Sequence, residues 1–142
     1  MKIHQIWEKL HVSGHTRMDP DAPSKLKAAG IKTVFCVTTI KDLILESFMN
    51  ANVQGSYIHF PLSDGQEIHP GIDTIVNTVI AAQVFGNVLI HCRAGRNRSC
   101  FVIALAMIKQ GVAPGDAIDI IRATRPNALA NPYFEEYLMR QP

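Results

Sequence analysis

The chain has 142 residues, 47% of them hydrophobic and 18% charged, so it can bury one real core and falls outside the disordered and low-complexity classes. A formal net charge of +2 excludes non-specific nucleic-acid binding through the whole surface, and any functional positive charge must be local. With no membrane-length apolar run, no signal-peptide core in "MKIHQIWEKLHVSG" and no disulfide framework among Cys36, Cys92 and Cys100, the expectation is one soluble, cytoplasmic, monomeric domain over residues 1–142.

In chain order, "QIWEKLHVSG" reads as a first strand ending at Ser13-Gly14, and "SKLKAAG" as a short helix stopped by Gly30. "KTVFCVTT" is β-branched and aromatic and predicts a strand. "DLILESFMN" has a helical pattern, and "SYIHFPL" predicts a strand closed by Pro61. In "HPGIDTIVNTVIAAQVFG" the residues Ile72, Ile75, Val76, Val79 and Ile80 recur at three- and four-residue spacings, predicting an amphipathic helix that Gly86 ends. "NVLIH" predicts a short strand buried on both faces, and "SCFVIALAMIKQG", apolar nearly all round, a buried helix. "PGDAIDIIRATR" and "NPYFEEYLMR" close the chain as two helices with Pro near their starts. Strands alternating with helices predict an α/β fold, a mostly parallel central sheet of four to five strands flanked by helices.

"CRAGRNRS" lies between that last strand and the buried helix. Ligands of open parallel sheets sit at such strand-to-helix loops. A helix start with free N–H groups attracts anions, and a short loop curled around one point adds further N–H groups as a nest. Gly95 allows the bend. In that positive field the Cys92 thiol shifts toward thiolate, the nucleophilic form. Arg98, six residues on, returns near the sulfur with a fork that fits two phosphate oxygens, and Ser99 can donate to the sulfur.

His91-Cys92, five residues, then Arg98-Ser99 resembles the signature loop of the cysteine-dependent protein tyrosine phosphatase superfamily, and the order and length of the elements are most similar to its dual-specificity branch. "HVSG", "GIKTVFCVTT", "FPLSDGQE" and "AIDIIRATRPNALANPYF" also fall in that branch's order. The resemblance implies a dual-specificity phosphatase-like fold. It implies hydrolysis of phosphotyrosine and phosphoserine/threonine esters through a cysteinyl-phosphate, with Cys92 as nucleophile and Arg98 and Ser99 assisting. Arg93, Ala94, Gly95, Arg96 and Asn97 would surround the phosphate, with no cofactor and no metal. The partner is then a phosphorylated substrate, either a phosphoprotein or a polyphosphorylated small molecule or lipid head group.

The leaving oxygen needs a proton. The resemblance implies an aspartate on a loop about thirty residues before the cysteine, and Asp64 in "PLSDGQE" stands there. Glu67 and Asp73 are its rivals for the acid role, but Glu67 could instead cap the following helix and Asp73, in the first turn, needs no catalytic role. His91 either supports the loop or is merely packed. Asn131, matched to the family's asparagine, either ties down the phosphate loop or caps the last helix. Ala130 and Tyr133 depart from the family pattern, where proline and glycine are usual. Cys36 and Cys100 read as core residues, and Cys92 and Cys100 lack a zinc-ligand partner pair.

Arg93 and Arg96 add charge where many protein phosphatases have uncharged residues, resembling lipid- and inositol-directed members. Such charge favours polyphosphorylated substrates, phosphoinositides or inositol phosphates, as the alternative to phosphoproteins. A rhodanese-like sulfurtransferase and a non-catalytic phosphate-binding module are further alternatives. The former usually has a loop one residue shorter, and the latter usually lacks the cysteine, arginine or acid.

Overall fold

The computed structural model describes residues 1–16, 19–52 and 55–142. A five-stranded sheet is built from β1 (His4–Trp7), β2 (Leu10–Ser13), β3 (Ile31–Cys36), β4 (Ser56–His59) and β5 (Asn87–His91), in the order β1-β2-β5-β3-β4. β1 and β2 pair antiparallel; β2, β5, β3 and β4 pair parallel, with β5 in the middle. The helices among the described residues are α1 (Ala22–Ala28), α2 (Leu43–Ala51), α3 (Ile72–Gln83), α4 (Arg98–Lys109), α5 (Pro114–Thr124) and α6 (Pro132–Met139).

The stretch read as one first strand is two. Lys9 turns the chain with φ 57° between β1 and β2, a left-handed position without glycine, and β1 becomes an edge strand paired to β2 alone. The other elements stand where the periodicity places them, with ends shifted by a few residues: α1 opens at Ala22 rather than Ser24, and β3 and β4 stop at Cys36 and His59.

β5 explains the layering. Its Val88 and Ile90 face a large core with α3, α4, α5 and α6, while Leu89 between them faces a smaller core with α1 and α2. Alternate residues of one strand therefore serve two layers, as a central strand of a covered parallel sheet requires. Every residue of α4 from Ser99 to Ile108 is buried, which accounts for its apolar circumference. Phe101 of α4 stacks on Phe134 of α6, ring centroids 4.2 Å apart and planes within 7°, and Tyr137 meets Phe101 edge-on at 5.7 Å. The last helix is thereby pinned to the one that starts at the candidate loop.

Candidate active site

The loop from Cys92 to Arg98 joins the carboxyl end of β5 to the first turn of α4. Its carbonyls are held from outside, one after another. The Arg93 carbonyl accepts from the His15 N–H at 3.1 Å, and that of Arg96 from the Leu129 N–H at 3.0 Å. Arg125 donates from Nη2 to Ala94 O at 2.9 Å and from Nε to Gly95 O at 3.2 Å. With four successive carbonyls pulled outward, N–H groups turn inward, and the Gly95 N–H points at Cys92 Sγ from 3.2 Å. That is the geometry of an anion nest.

Gly95 is required there. It adopts φ +67°, and a Cβ would lie 2.7 Å from the Ser13 carbonyl carbon and 2.9 Å from the Gly14 nitrogen. Gly14 mirrors it, since a Cβ there would sit 2.9 Å from the Arg93 carbonyl oxygen. Backbone meets backbone at both points, so neither side can yield.

Cys92 is buried at the base of this loop, with Ser99 Oγ at 3.2 Å from its sulfur. Burial works against a thiolate. Hydrogen bonds from the Ser99 hydroxyl and from the backbone of Ser99, Arg96 and Gly95 outweigh it, and the pKa falls below the ordinary 9.0. The other two thiols lack this cradle. Burial pushes Cys100 up to about 12 and also raises Cys36, in keeping with their reading as core residues.

Arg98 donates from Nη1 to the Leu62 carbonyl at 3.4 Å, toward the loop that carries Asp64. Asp64 is exposed, and each carboxylate oxygen accepts from a side-chain amide: Asn131 Nδ2 at 2.8 Å and Asn97 Nδ2 at 3.1 Å. The same Asn131 amide reaches Gly65 O at 3.1 Å, while its Oδ1 caps α6 by accepting from the Tyr133 N–H at 2.9 Å. Asn131 thus caps the helix and grips the Asp64 loop. Asn97 bridges the Cys92 loop to both neighbours, its Oδ1 accepting from the Ala130 N–H at 2.9 Å. Glu67 does not cap α3, whose N-cap is Gly71 without a side-chain cap; the Gly71 N–H instead donates to His69 Nδ1 at 2.8 Å. Asp73 pairs with Lys109 at 3.2 Å.

His91 is fully buried, and its Nε2 lies 3.4 Å from the Tyr57 hydroxyl. Burial lowers its pKa to about 4, so the ring is neutral near pH 7. The Tyr57 hydroxyl accepts from the Asp42 N–H at 2.9 Å. Of the two extra arginines, both exposed, Arg93 joins Arg98 in lining the adjoining cavity and Arg96 does not.

Three contributors escape a reading of the sequence. Arg125 lies in the stretch "AIDIIRATRPNALANPYF", where the sequence assigns it no role. Arg122 donates to the Ala128 and Leu129 carbonyls at 3.1 Å each, holding the segment that in turn holds Arg96; Leu129 adopts φ 59° there. His15 reaches the loop from the connection after β2.

Residues 16–141 match the model of the dual specificity phosphatase catalytic domain. The chain belongs to the dual specificity phosphatase family. It is 33% identical over 87 residues to human dual specificity protein phosphatase 15, an alignment covering 58% of this chain and 30% of that protein; the chain therefore spans well under half of that relative. Among solved structures, human DUSP28 superposes with TM-score 0.77 at 19% identity, covering 98% of this chain and 94% of that one. The Cydia pomonella PTP-2 phosphatase superposes with TM-score 0.81 at 15% identity, covering 97% and 88%. These two likenesses are of fold. Within the dual specificity phosphatase frame, the central sheet and buried α4 set the loop, and residues from β2–α1, α5 and the segment before α6 set its carbonyls. No helix among the described residues is long and apolar enough to cross a membrane.

Proposed function

We propose that the chain hydrolyses phosphomonoesters through a cysteinyl-phosphate on Cys92, accepting phosphotyrosine and phosphoserine/threonine esters. The observation that carries this reading is the loop itself, with its carbonyls bound outward, an N–H and the Ser99 hydroxyl on a lowered-pKa sulfur, and a helix start beneath. Such a cradle fits the equatorial oxygens of a phosphoryl group in transfer.

In the first step the Cys92 thiolate attacks phosphorus, the P–O bond to the leaving group breaks, and Asp64 gives that oxygen its proton. Arg98 takes two phosphoryl oxygens with its guanidinium fork, leaving the Leu62 carbonyl. In the second step Asp64 takes a proton from water as the water oxygen attacks phosphorus. The P–S bond breaks, and Ser99 donates to the sulfur that leaves as thiolate. Asn97 and Asn131 keep the Asp64 carboxyl beside the loop during both steps. A sulfurtransferase would have no use for Asp64 or its two amide partners, and a binding-only module none for a thiol tuned toward thiolate.

Replacing Cys92→Ser is expected to abolish hydrolysis of para-nitrophenyl phosphate while preserving binding of phosphate mimics such as tungstate. Asp64→Asn is expected to slow a phenyl phosphate with a poor leaving group by about 100-fold or more, as loss of a general acid does. Full turnover by the serine variant would overturn the mechanism, and transfer of sulfur from thiosulfate to cyanide would replace it with the rhodanese reading.

A further inference from the structure

A cavity of about 480 Å³ opens beside the Cys92 loop, within the size range of small-molecule sites. Its described lining is Arg93 and Arg98 of the loop, His15 of the β2–α1 connection, and Thr38, Thr39 and Ile40 of the β3–α2 connection. A scissile phosphoryl group is held within the loop, so this space receives the rest of the substrate.

The fixed charge of the described wall is positive: its two guanidinium groups can only donate hydrogen bonds, while the threonine hydroxyls and the imidazole can donate as well as accept. No carboxylate is among the described lining residues, and Asp42, 1% exposed, lies beside His15 rather than in the wall. Asp42 is itself immobilised: Oδ2 accepts from the Thr16 N–H at 2.9 Å, and Oδ1 from the Leu45 N–H at 3.2 Å at the N-cap of α2. Its Oδ2 lies 3.6 Å from His15 Nδ1, while the His15 backbone N–H is bound to the Arg93 carbonyl. The backbone of His15 is therefore tied to the loop, with the buried carboxylate close to its ring. The apolar share of this lining is small, with Ile40 as its one aliphatic side chain among the described residues. An anionic leaving group would find charge-assisted donors.

We propose that His15 and Arg93 form a second anion subsite beside the Cys92 loop, and that the preferred substrates are phosphomonoesters carrying a second phosphate a few bonds from the scissile one. The inference rests on the phosphatase reading above and names the substrate class for that site. Arg96, which does not line the cavity, takes no part in it.

The test is calorimetric titration of the Cys92→Ser chain with the mono- and bisphosphates of ethylene glycol and of 1,4-butanediol. At one spacing or both, the bisphosphate is expected to bind at least ten times more tightly than its monophosphate. His15→Ala and Arg93→Ala in the same background are each expected to cut that preference severalfold, and His15→Gln, which keeps an N–H donor, to restore part of it. Equal affinity for mono- and bisphosphate at both spacings overturns the subsite, as does a preference untouched by both alanine variants. The same headgroups displayed on phosphatidylcholine vesicles separate the sources: an equal preference in solution and on vesicles assigns a soluble bisphosphate, and a larger one on vesicles assigns a lipid head group. Turnover of para-nitrophenyl phosphate by the unmutated chain is measured alongside. Its absence would count against the phosphatase reading alone, because the titrations do not depend on turnover.

Discussion

The buried histidine next to Cys92 makes native stability depend on pH in a defined window. His91 is fully buried at the end of β5, and burial lowers its pKa from the ordinary 6.5 to about 4. Between those values the unfolded chain binds a proton that the native chain refuses. Stability therefore falls as pH drops from about 6.5 toward 4 and is restored as pH rises. Integrating that single site from pH 7 to pH 5 gives a loss of about 2 kcal/mol, a large share of the roughly 5–15 kcal/mol that holds such a domain together. His4 and His11, whose pKa values burial also lowers, add to it with the same sign. Asp42, held below the ordinary 3.8 by N–H donors that outweigh its burial, gives up its contribution only under more acidic conditions. Urea unfolding at pH 7 and pH 5, for the parent and for His91→Gln, measures the effect. The parent should lose about 2 kcal/mol or more between the two pH values, and the variant about 2 kcal/mol less than the parent. Identical pH slopes for the two chains would refute the buried-neutral account of His91.

The thiols should separate cleanly by reactivity: at pH 6.5 iodoacetamide is expected to alkylate Cys92 and leave Cys36 and Cys100, with their raised pKa values, unmodified. Peptide mass spectrometry reads this, and comparable adducts on either buried thiol would contradict it. Arg125→Met removes two donors from the loop carbonyls and should weaken vanadate binding by about 10- to 100-fold, the scale of one to two charge-assisted hydrogen bonds. It should also raise the pH midpoint of Cys92 alkylation, and an unchanged midpoint would mean that Arg125 does not shape the nest. Gly95→Ala, with its Cβ driven into the Ser13–Gly14 backbone, should destabilise the chain by about 2 kcal/mol or more and abolish vanadate binding. A stable alanine variant that binds vanadate normally would show that the close approach is dispensable.

How much of this was legible follows from how local each signal is. The β5–loop–α4 unit was readable because its apolar strand, the Cys92-to-Arg98 spacing and the apolar helix lie in one continuous stretch. Asp64 was readable only through resemblance, since an aspartate before glycine also suits a turn. The β1–β2 hairpin was missed because its turn, at Glu8 and Lys9, carries none of the Gly, Asn or Pro marks by which turns are read. Arg125 looks like any cation at a helix end, and its partners at Ala94 and Gly95 lie about thirty residues away. The two readings of Asn131 were left open by the sequence. The structure joins the helix cap to a contact that neither reading named, with Asp64. Nor could spacing decide between Arg93 and Arg96, because the direction of a side chain on a curled loop depends on backbone twist rather than on count.

The tuning of Cys92 is thus a tertiary property. The N–H groups that lower its pKa point inward only while the carbonyls of the same peptide units are engaged elsewhere. Those engagements come from the β2–α1 connection, from the end of α5 and from Leu129 before α6. Without them, free rotation of the peptide planes would turn some carbonyls toward the sulfur, and burial alone would then raise its pKa, as it does for Cys100. Thiolate at Cys92 therefore requires α5 and the segment before α6 to be docked. Two arginines on α5 and at its end, Arg122 and Arg125, link that docking to the Cys92 loop.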